Sequence, residues 1–332
     1  MPHFLKAIIL VCCIWPTLSC AADNYGTHPA ALAVVDELVE QEGFDREALL
    51  QVFAQAQKKQ GILDAMSRPA EKTKPWYAYR GIFLTDKREK DGVEFYNMHR
   101  KELERAEQET GVPAEIIVAI IGVETSYGRI MGSYRVLDAL TTLAFDYPRR
   151  AEFFTSELKS YLLLTREQGF DPTELKGSYA GAMGYGQFMP SSYRAYAIDF
   201  DGDGVTDIWN NKTDAIGSVA NYFVEHGWRA GEPVVFPAVA SSDNLPLTTF
   251  VQGRSGLKPE RSIAEFAELG VTTTAEVDPQ ALATAMKFEL EAGFEYWLGM
   301  HNFYVITRYN HSAMYAMSVY QLSQRLAELI DG

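Results

Sequence analysis

The middle of the chain holds a nearly uninterrupted apolar stretch, and this feature constrains the fold most. Residues 113–125 read PAEIIVAIIGVET. Proline is favoured at the first position of a helix, so the stretch predicts a helix that begins at Pro113. Apolar side chains cover nearly its whole circumference, and a helix of that kind is buried. The rest of the chain must therefore cover it.

Glu124 stands out near the end of this helix, because an ionised carboxylate among apolar residues is costly unless it is paired or hydrogen-bonded. Desolvation raises the pKa of such a carboxyl, which suits a general acid that works near neutral pH. Alternatively, Glu124 is a structural acid that pairs with an arginine, for which Arg129, Arg149 and Arg150 are candidates. Spacing alone leaves both interpretations open.

Helical spacing of apolar residues recurs along most of the chain, and glycines such as Gly43, Gly111 and Gly169 mark predicted helix ends. Between Trp228 and Asn310 the segments are rich in β-branched and aromatic residues, which are typical of strands. The sequence thus predicts a mainly α fold of the α+β class with a small β-containing insertion.

Residues 1–22 predict an export signal, because a short apolar run follows a lysine and precedes small residues. The three cysteines, Cys12, Cys13 and Cys20, all lie in this leader, so the mature chain is expected to have no disulfide. Small residues favour cleavage near Ala21 or Ala22. A lipid tether at Cys20 is the alternative, although the residues before it fit a lipid-attachment motif poorly.

Two loops carry residue types that bind ligands. Residues 177–194, GSYAGAMGYGQFMPSSYR, contain four glycines, which let a backbone approach a ligand closely; a tight helix connection is the alternative. Residues 199–214, DFDGDGVTDIWNNKTD, match the first half of an EF-hand calcium loop. Asn210 replaces the expected glutamate, so Asp214 is the next carboxylate that could complete the ring. An acidic turn without metal is the alternative.

Composition and missing motifs exclude several function classes. The formal net charge is −14 and the chain has no basic stripe with interleaved aromatics, so nucleic acid is not expected as a partner. The sequence has no HExxH pair, no GxSxG elbow and no GxxxxGK loop. These absences argue against a zinc hydrolase, a serine hydrolase and an NTPase.

Five segments together resemble the membrane-bound lytic murein transglycosylase B family: GVETSYGR, DYPRRAEFF, GSYAGAMGYGQFMPSSY, DFDGDG…DAIGSVANYF and FYVITRYNHSAMYAMSVYQL. They span nearly the whole mature chain in the expected order. The resemblance implies a lysozyme-like helical core over residues 81–230, which follows a helical N-terminal segment over 23–80. It also implies an α+β insertion over 231–308 and a C-terminal helix over 309–332 that returns to the core.

The resemblance implies a reaction as well. Enzymes of this family cleave the β-1,4 bond between N-acetylmuramic acid and N-acetylglucosamine in peptidoglycan without water, leaving a 1,6-anhydromuramic acid end. Glu124 matches their single general acid and base. The implied substrate-binding residues are Tyr79, Arg149, Arg150, Ser178, Gln187, Phe188, Tyr222, Tyr309, Asn310 and Tyr315. The implied ligands of a structural calcium ion (Ca2+) are Asp199, Asp201, Asp203, the carbonyl of Val205 and Asp214, whereas no cofactor is expected for catalysis.

The expected setting is the periplasm of a Gram-negative bacterium, with a monomer acting on peptidoglycan glycan strands. Cell-wall synthesis or divisome proteins are further candidate partners. Two other functions stay open. A hydrolytic muramidase would need a second carboxylate to hold water, for which Asp138 and Asp146 are candidates. A catalytically inactive peptidoglycan-binding protein would keep the fold without the chemistry.

Overall fold

The computed structural model describes residues 25–67 and 74–332, so the predicted export signal and its cysteines lie outside the described residues. Helices dominate this part of the chain. They are α1 (Pro29–Glu42), α2 (Arg46–Gln55), α3 (Gln60–Ser67), α4 (Trp76–Arg80), α5 (Asp86–Met98), α6 (Arg100–Thr110), α7 (Ala114–Thr125), α8 (Val136–Asp146), α9 (Ala151–Gln168), α10 (Pro190–Tyr196), α11 (Lys212–Glu225), α12 (Ile263–Glu268), α13 (His301–Tyr309) and α14 (Ala313–Asp331). The predicted mainly α, α+β fold is confirmed.

Local sequence explains where several helices end. Gly43, Gly111 and Gly169 follow α1, α6 and α9 and adopt φ angles of 68°, 69° and 71°. These left-handed conformations cost glycine little and close a helix. Pro113 is the capping residue immediately before α7. Four of the sequence-predicted boundaries therefore follow from backbone chemistry alone.

Helix α7 lies at the centre of the largest hydrophobic core. Every side chain from Ile116 to Ile121 is buried. Helices α5, α6, α11 and α14 pack against α7 and cover it. Full burial of an isoleucine or valine contributes about 1.5–3 kcal/mol, so this one helix supplies a large part of the driving force for folding.

A second core lies between the N-terminal helices and the α8–α9 pair. Helix α8 packs on α9, and α1 and α3 pack on α8. The phenol ring of Tyr309 is packed against both cores. Tyr309, the last residue of α13, therefore lies at the junction of the two cores.

The strands form two sheets. Strands β1 (Tyr134–Arg135) and β2 (Lys176–Gly177) pair as a short ribbon. The larger sheet has five antiparallel strands in the order β4-β6-β7-β3-β5: β3 (Val235–Ala240), β4 (Arg261–Ser262), β5 (Val271–Thr272), β6 (Leu282–Glu289) and β7 (Phe294–Gly299). It lies within the range where the sequence predicted strands, and a third small core forms on it.

One boundary differs from the predicted insertion over 231–308. Helix α13 begins at His301, and its buried residues Phe303, Val305 and Ile306 belong to the core around α7. The insertion therefore ends with β7, because the apolar face of α13 is covered by the helical body. In the described part of the chain, no helix combines the length and the apolar character needed to cross a membrane.

Candidate active site

Glu124 lies in the last turn of α7, where the backbone turns sharply. Ser126 and Tyr127 follow the helix with φ angles of 50° and 62°. Left-handed conformations are uncommon for residues other than glycine, and they persist only where surrounding contacts hold them. The Thr125 hydroxyl supplies such contacts, because it donates to the Tyr185 carbonyl at 3.0 Å and accepts from the Gly128 N–H at 2.9 Å.

The environment of Glu124 suits a proton donor at neutral pH. The residue is half-buried, and desolvation raises the pKa of its carboxyl from the usual 4.5 to about 7. The Tyr315 hydroxyl donates a hydrogen bond to Oε1 at 2.5 Å, and this bond acts in the opposite direction by favouring the ionised form. The carboxyl can thus be protonated or ionised near pH 7.

The alternative of a structural ion pair at Glu124 is wrong. Arg129 pairs with Asp91 at 3.0 Å, and the guanidinium of Arg150 lies 4.2 Å from the centre of the Phe153 ring. Arg149 is exposed and takes part in no ion pair within the ranges that the structure describes. The hydrogen-bonding partner of the Glu124 carboxyl is the neutral Tyr315 hydroxyl. The proton of the carboxyl is therefore not displaced by a neighbouring cation.

Tyrosine side chains surround the carboxyl. The pKa values of Tyr79, Tyr309 and Tyr315 are raised first by burial and then by the negative charge of Glu124, which places all three phenols close to it. Tyr309 donates to the Gly186 carbonyl at 2.7 Å. These side chains come from α4, α13 and α14, so folding brings together residues that are far apart in the sequence.

Further aromatic side chains pack against Tyr309 on the side away from Glu124. The rings of Tyr222 and Tyr309 lie 4.6 Å apart, and Phe188 packs against both, at 5.7 and 5.9 Å. Tyr222 donates to the Arg308 carbonyl at 2.6 Å, which fixes its ring. All five predicted aromatic residues therefore belong to one contiguous cluster beside the acid, in which Phe188, Tyr222 and Tyr315 are buried.

The glycine-rich loop brings Gln187 and Ser178 to the same region. Gln187 has a φ of 52°, and its amide nitrogen donates to the carbonyls of Met131 and Gly184 at 3.2 and 3.0 Å. The Ser178 hydroxyl accepts the Ala182 N–H at 3.0 Å. Both side chains are therefore held in place before any ligand arrives.

The peptide groups of Tyr185 connect three parts of the site. Its N–H donates to the Ile208 carbonyl at 3.0 Å, and its carbonyl accepts the Thr125 hydroxyl. The preceding Gly184 has a φ of 67°, and a Cβ there would overlap the Ile208 carbonyl oxygen. Sequence reasoning missed Thr125 and Tyr185, because their contact spans sixty positions and leaves no local signal.

Three of the predicted substrate-binding residues are not in contact with the aromatic cluster around Glu124. Asn310 is exposed at the end of α13, while Arg149 and Arg150 are exposed on the short 3-10 helix Pro148–Arg150. No contact within the described ranges links them to Glu124. Their substrate-binding role stays a prediction from the resemblance.

The acidic loop presents three carboxylates together. Asp199, Asp201 and Asp203 are exposed, and each offers an oxygen within 4.8 Å of the others. Calcium prefers oxygen ligands, so this group fits the ion chemically. The Val205 N–H donates to Asp203 at 2.9 Å, and the role of the Val205 carbonyl as a ligand stays a prediction.

Asp214 lies outside the group of three exposed carboxylates, and its role as a calcium ligand stays a prediction. Its side chain is buried, and its two oxygens accept the N–H groups of Phe200 and Asp207, both at 2.8 Å. Asp214 is the third residue of α11, and these two hydrogen bonds hold the acidic loop against that helix. Sequence spacing alone could not show these two hydrogen bonds, because they depend on how the loop folds against α11.

The two candidate second carboxylates are engaged elsewhere. Asp138 is buried and pairs with Arg135 at 2.8 Å and Lys59 at 3.4 Å. Asp146 pairs with Lys58 at 2.5 Å and accepts the Tyr25 hydroxyl. Both residues tie the N-terminal segment to α8, and both carboxylates already have cationic partners.

Comparisons with known proteins agree with this geometry. The family model described as Transglycosylase SLT domain matches residues 27–324. The chain is 46% identical over 313 residues to membrane-bound lytic murein transglycosylase B of Escherichia coli strain K12, covering 92% of this chain and 84% of that protein. The crystal structure of soluble lytic transglycosylase SltB1 from Pseudomonas aeruginosa is 54% identical, with a TM-score of 0.87 over 92% of this chain and 100% of that one.

Two further solved structures were determined with ligands. Escherichia coli Slt35 in complex with calcium is 45% identical, with a TM-score of 0.85 over 94% of this chain and 96% of that one. SltB3 of Pseudomonas aeruginosa in complex with NAG-anhNAM-pentapeptide is 30% identical, with a TM-score of 0.77 over 91% of this chain and 79% of that one. The predicted family is confirmed. The chain belongs to the Transglycosylase SLT domain family, and it is a lytic transglycosylase, an enzyme that cleaves the peptidoglycan called murein.

Proposed function

We propose that Glu124 carries out both proton transfers in a cleavage of murein that consumes no water. The bond is the β-1,4 link between N-acetylmuramic acid and N-acetylglucosamine, and the product ends in 1,6-anhydromuramic acid. The observation that carries the proposal is a single half-buried carboxyl whose pKa is about 7 and whose partner is the Tyr315 hydroxyl. A pKa near the working pH suits one group that acts first as an acid and then as a base.

The reaction proceeds in two steps. Protonated Glu124 donates its proton to the glycosidic oxygen as the bond from that oxygen to C1 of the muramic acid breaks, and the N-acetylglucosamine hydroxyl leaves. The oxygen of the 2-acetamido group bonds to C1 and forms an oxazolinium ion. Ionised Glu124 then takes the proton of the C6 hydroxyl, whose oxygen attacks C1 and displaces the acetamido oxygen. Glu124 ends protonated, ready for another cycle.

The protein supports these steps by positioning the reacting groups. The Tyr315 hydroxyl donates to the carboxylate that exists between the two steps. The partly exposed rings of Tyr79 and Tyr309 offer an aromatic surface for sugar rings, and the buried rings of Phe188 and Tyr222 pack against Tyr309 behind it. Gln187 and Ser178 offer polar groups for the acetamido group. The SltB3 complex with NAG-anhNAM-pentapeptide supports glycan strands as the ligand of this surface.

Product masses test the reaction. Purified peptidoglycan digested by the wild-type chain should release fragments with anhydro ends, which are lighter by one water than hydrolysed ends. Fragments with reducing muramic acid ends would instead indicate a muramidase. Binding to peptidoglycan without any release would indicate a protein that has kept only the fold.

We also propose a structural calcium ion at Asp199, Asp201 and Asp203. The Slt35 complex with calcium supports it, as does the close approach of three exposed carboxylates, which would repel one another without a cation. The ion would tie the loop together and take no part in proton transfer.

We propose export to the periplasm with removal of residues 1–22 and no lipid. The relative named membrane-bound lytic murein transglycosylase B acts on murein, and murein lies outside the inner membrane. The intact mass of the mature protein tests the proposal. A mass that includes a diacylglyceryl group on Cys20 would contradict it and indicate a tethered enzyme.

A further inference from the structure

The turn that follows Glu124 is strained, and it is held from two sides. Ser126 and Tyr127 adopt φ angles of 50° and 62°, in the left-handed region where glycine is the usual residue. Conformations of this kind persist only where surrounding contacts hold them. The Thr125 hydroxyl holds one side of the turn through the Tyr185 carbonyl. Helix α5 holds the other side.

The Tyr127 side chain is inserted between α5 and α7. Its hydroxyl donates to the Arg88 carbonyl on α5 at 3.0 Å. Gly92 on α5 and Gly122 on α7 leave room for the phenol, because a Cβ at these positions would lie 2.4 and 2.6 Å from its hydroxyl oxygen. Both helices thus carry a glycine where the phenol lies, and the turn after the acid is tied to α5.

The Arg88 guanidinium holds the last turn of α7 itself. Its Nη1 donates to the Gly122 carbonyl, which also accepts the Ser126 N–H at 3.0 Å. A cation at the end of a helix interacts favourably with the carbonyls there. Arg88 is half-buried, and burial lowers its pKa, while the nearby Asp91 pairs with two other cations. The guanidinium is thus removed from water in order to bind a main-chain carbonyl of the helix that carries the acid.

We propose that Arg88 is a positioning residue for Glu124. Its side chain holds the peptide group two residues before the acid, and its main-chain carbonyl holds the phenol three residues after it. One residue of α5 therefore fixes both sides of the acid. The proposal rests on the proposed function, in which the same carboxyl has to reach the glycosidic oxygen and then the C6 hydroxyl. A misplacement of about 1 Å can lower such a rate about a hundredfold.

Steady-state kinetics with a soluble murein tetrasaccharide test the proposal. We expect Arg88→Met to lower kcat about ten- to a hundredfold and to change KM less than about twofold, because the interaction that is lost acts on the reacting group and not on substrate binding. Tyr127→Phe keeps the ring between the two glycines and removes only the hydroxyl, so it should lower kcat about threefold. Arg88→Lys keeps a positive charge and a donor and should recover most of the lost rate.

The pH profile distinguishes positioning from the loss of a charge. A displaced carboxyl loses its hydrogen bond from Tyr315, so Arg88→Met should move the alkaline limb of kcat/KM to higher pH, as Tyr315→Phe does. In the double variant the limb should move no further than in Tyr315→Phe alone, because the same hydrogen bond cannot be lost twice. A limb that moves further in the double variant would assign Arg88 an electrostatic role and overturn the proposal.

Two control variants separate these effects from charge and from stability. Lys90→Met removes one exposed positive charge from the same helix, and Leu38→Ala truncates a buried side chain in the second core. All variants are assayed below their melting temperatures. The proposal fails if folded Arg88→Met keeps the wild-type kcat, if it changes KM instead, or if it loses no more activity than Leu38→Ala. If Arg88→Met does not fold, Tyr127→Phe decides, and a wild-type kcat there is the contradicting result.

Product masses keep this test separate from that of the proposed reaction. Hydrolysed ends in the wild-type digest would refute the anhydro reaction and would leave the effect of Arg88→Met on kcat unchanged. Anhydro ends together with an unchanged kcat in Arg88→Met and Tyr127→Phe would refute the positioning role and leave the reaction standing.

Discussion

At Glu124 two influences oppose each other. Desolvation raises the pKa of the carboxyl, and the hydrogen bond from Tyr315 lowers it. Desolvation is the larger influence, so the pKa is about 7. The apolar run in the sequence predicted the desolvation, because burial of the helix follows from residue types alone. The identity of the hydrogen-bonding hydroxyl could not follow from α7, since it comes from a residue 191 positions away.

Glu124→Gln should abolish turnover while the fold is kept. Gln is nearly isosteric but cannot transfer the proton, and general acid–base catalysis contributes about 10²–10⁴-fold for each such role. The measurement is release of anhydro fragments from peptidoglycan beside a thermal melt. A folded variant that released them at near wild-type rates would remove Glu124 from its role.

The same variant should change how stability depends on pH. The pKa of Glu124 is raised from 4.5 to about 7 on folding, so its stabilising contribution is complete below pH 4.5 and is lost as the pH rises through 7. Glu124→Gln lacks this loss. Above pH 7 its melting temperature should therefore equal or exceed that of the wild type, and a lower value in melts across this pH range would contradict the desolvation argument.

Tyr315→Phe should move the alkaline limb of the pH–rate profile to higher pH. The hydrogen bond from Tyr315 favours the ionised carboxyl, so its loss raises the pKa of Glu124 further. The acid therefore stays protonated up to a higher pH. The profile of kcat/KM against pH measures this. Tyr320→Phe on the same helix is the control, because Tyr320 lies half-buried against Trp297 rather than at the acid. An unshifted limb in Tyr315→Phe would show that the hydroxyl does not act on Glu124.

At the scale of elements, the sequence predicted what depends on local periodicity. Helix α7 and the glycines that end α1, α6 and α9 follow from neighbouring residues, and so does the acidic loop. The connection between that loop and α7 depends on Tyr185, whose partners lie 23 and 60 positions away. Contacts of this kind are set by tertiary packing, and neither propensity nor spacing encodes them.

We expect Asp201 and Asp214 to stabilise the acidic loop in different ways, Asp201 by binding a calcium ion and Asp214 as a brace, by accepting hydrogen bonds. Asp201→Ala should abolish a calcium-dependent rise in melting temperature, because a ligand that binds only the native state stabilises it. Asp214→Ala should instead lower the free energy of unfolding by about 1–3 kcal/mol with or without calcium, since two N–H groups lose their acceptors. Chelation with EDTA during the melts distinguishes them. Equal effects of EDTA on both variants would contradict the assignment of Asp214 as a brace.

At the scale of the whole molecule, two helical cores and one sheet meet beside the acid. The sequence predicted the place of the sheet from its β-branched and aromatic residues. It assigned the residues of α13 to the strand-rich region, because they are rich in the aromatic and β-branched types that are typical of strands, whereas tertiary packing makes them a helix. Trp76 shows the same limit. Its indole N–H donates to Glu295 on β7 and its ring packs 4.8 Å from Phe288 on β6, so α4 is held by the sheet.

Trp76→Ala should therefore destabilise the protein by about 3–5 kcal/mol, as expected for a fully buried large side chain, and should lower activity as well. Activity falls because Tyr79, one turn further along α4, loses the ring that it stacks against. Denaturant unfolding and peptidoglycan digestion measure the two effects. Tyr77→Ala, at a neighbour that is 39% exposed, is the control. A Trp76→Ala protein with wild-type unfolding would show that the sheet does not brace α4.

The link through Tyr185 has a consequence for how this enzyme can change over generations. Both of its bonds are made by main-chain atoms and so do not depend on the type of side chain, although the Tyr185 ring itself is buried in the core around α7. The position that must keep its residue type is the preceding Gly184, because glycine has no Cβ and so leaves room for the Ile208 carbonyl. A lineage that replaces this glycine would uncouple the acidic loop from the helix of the acid, even with every carboxylate of that loop and Glu124 itself intact.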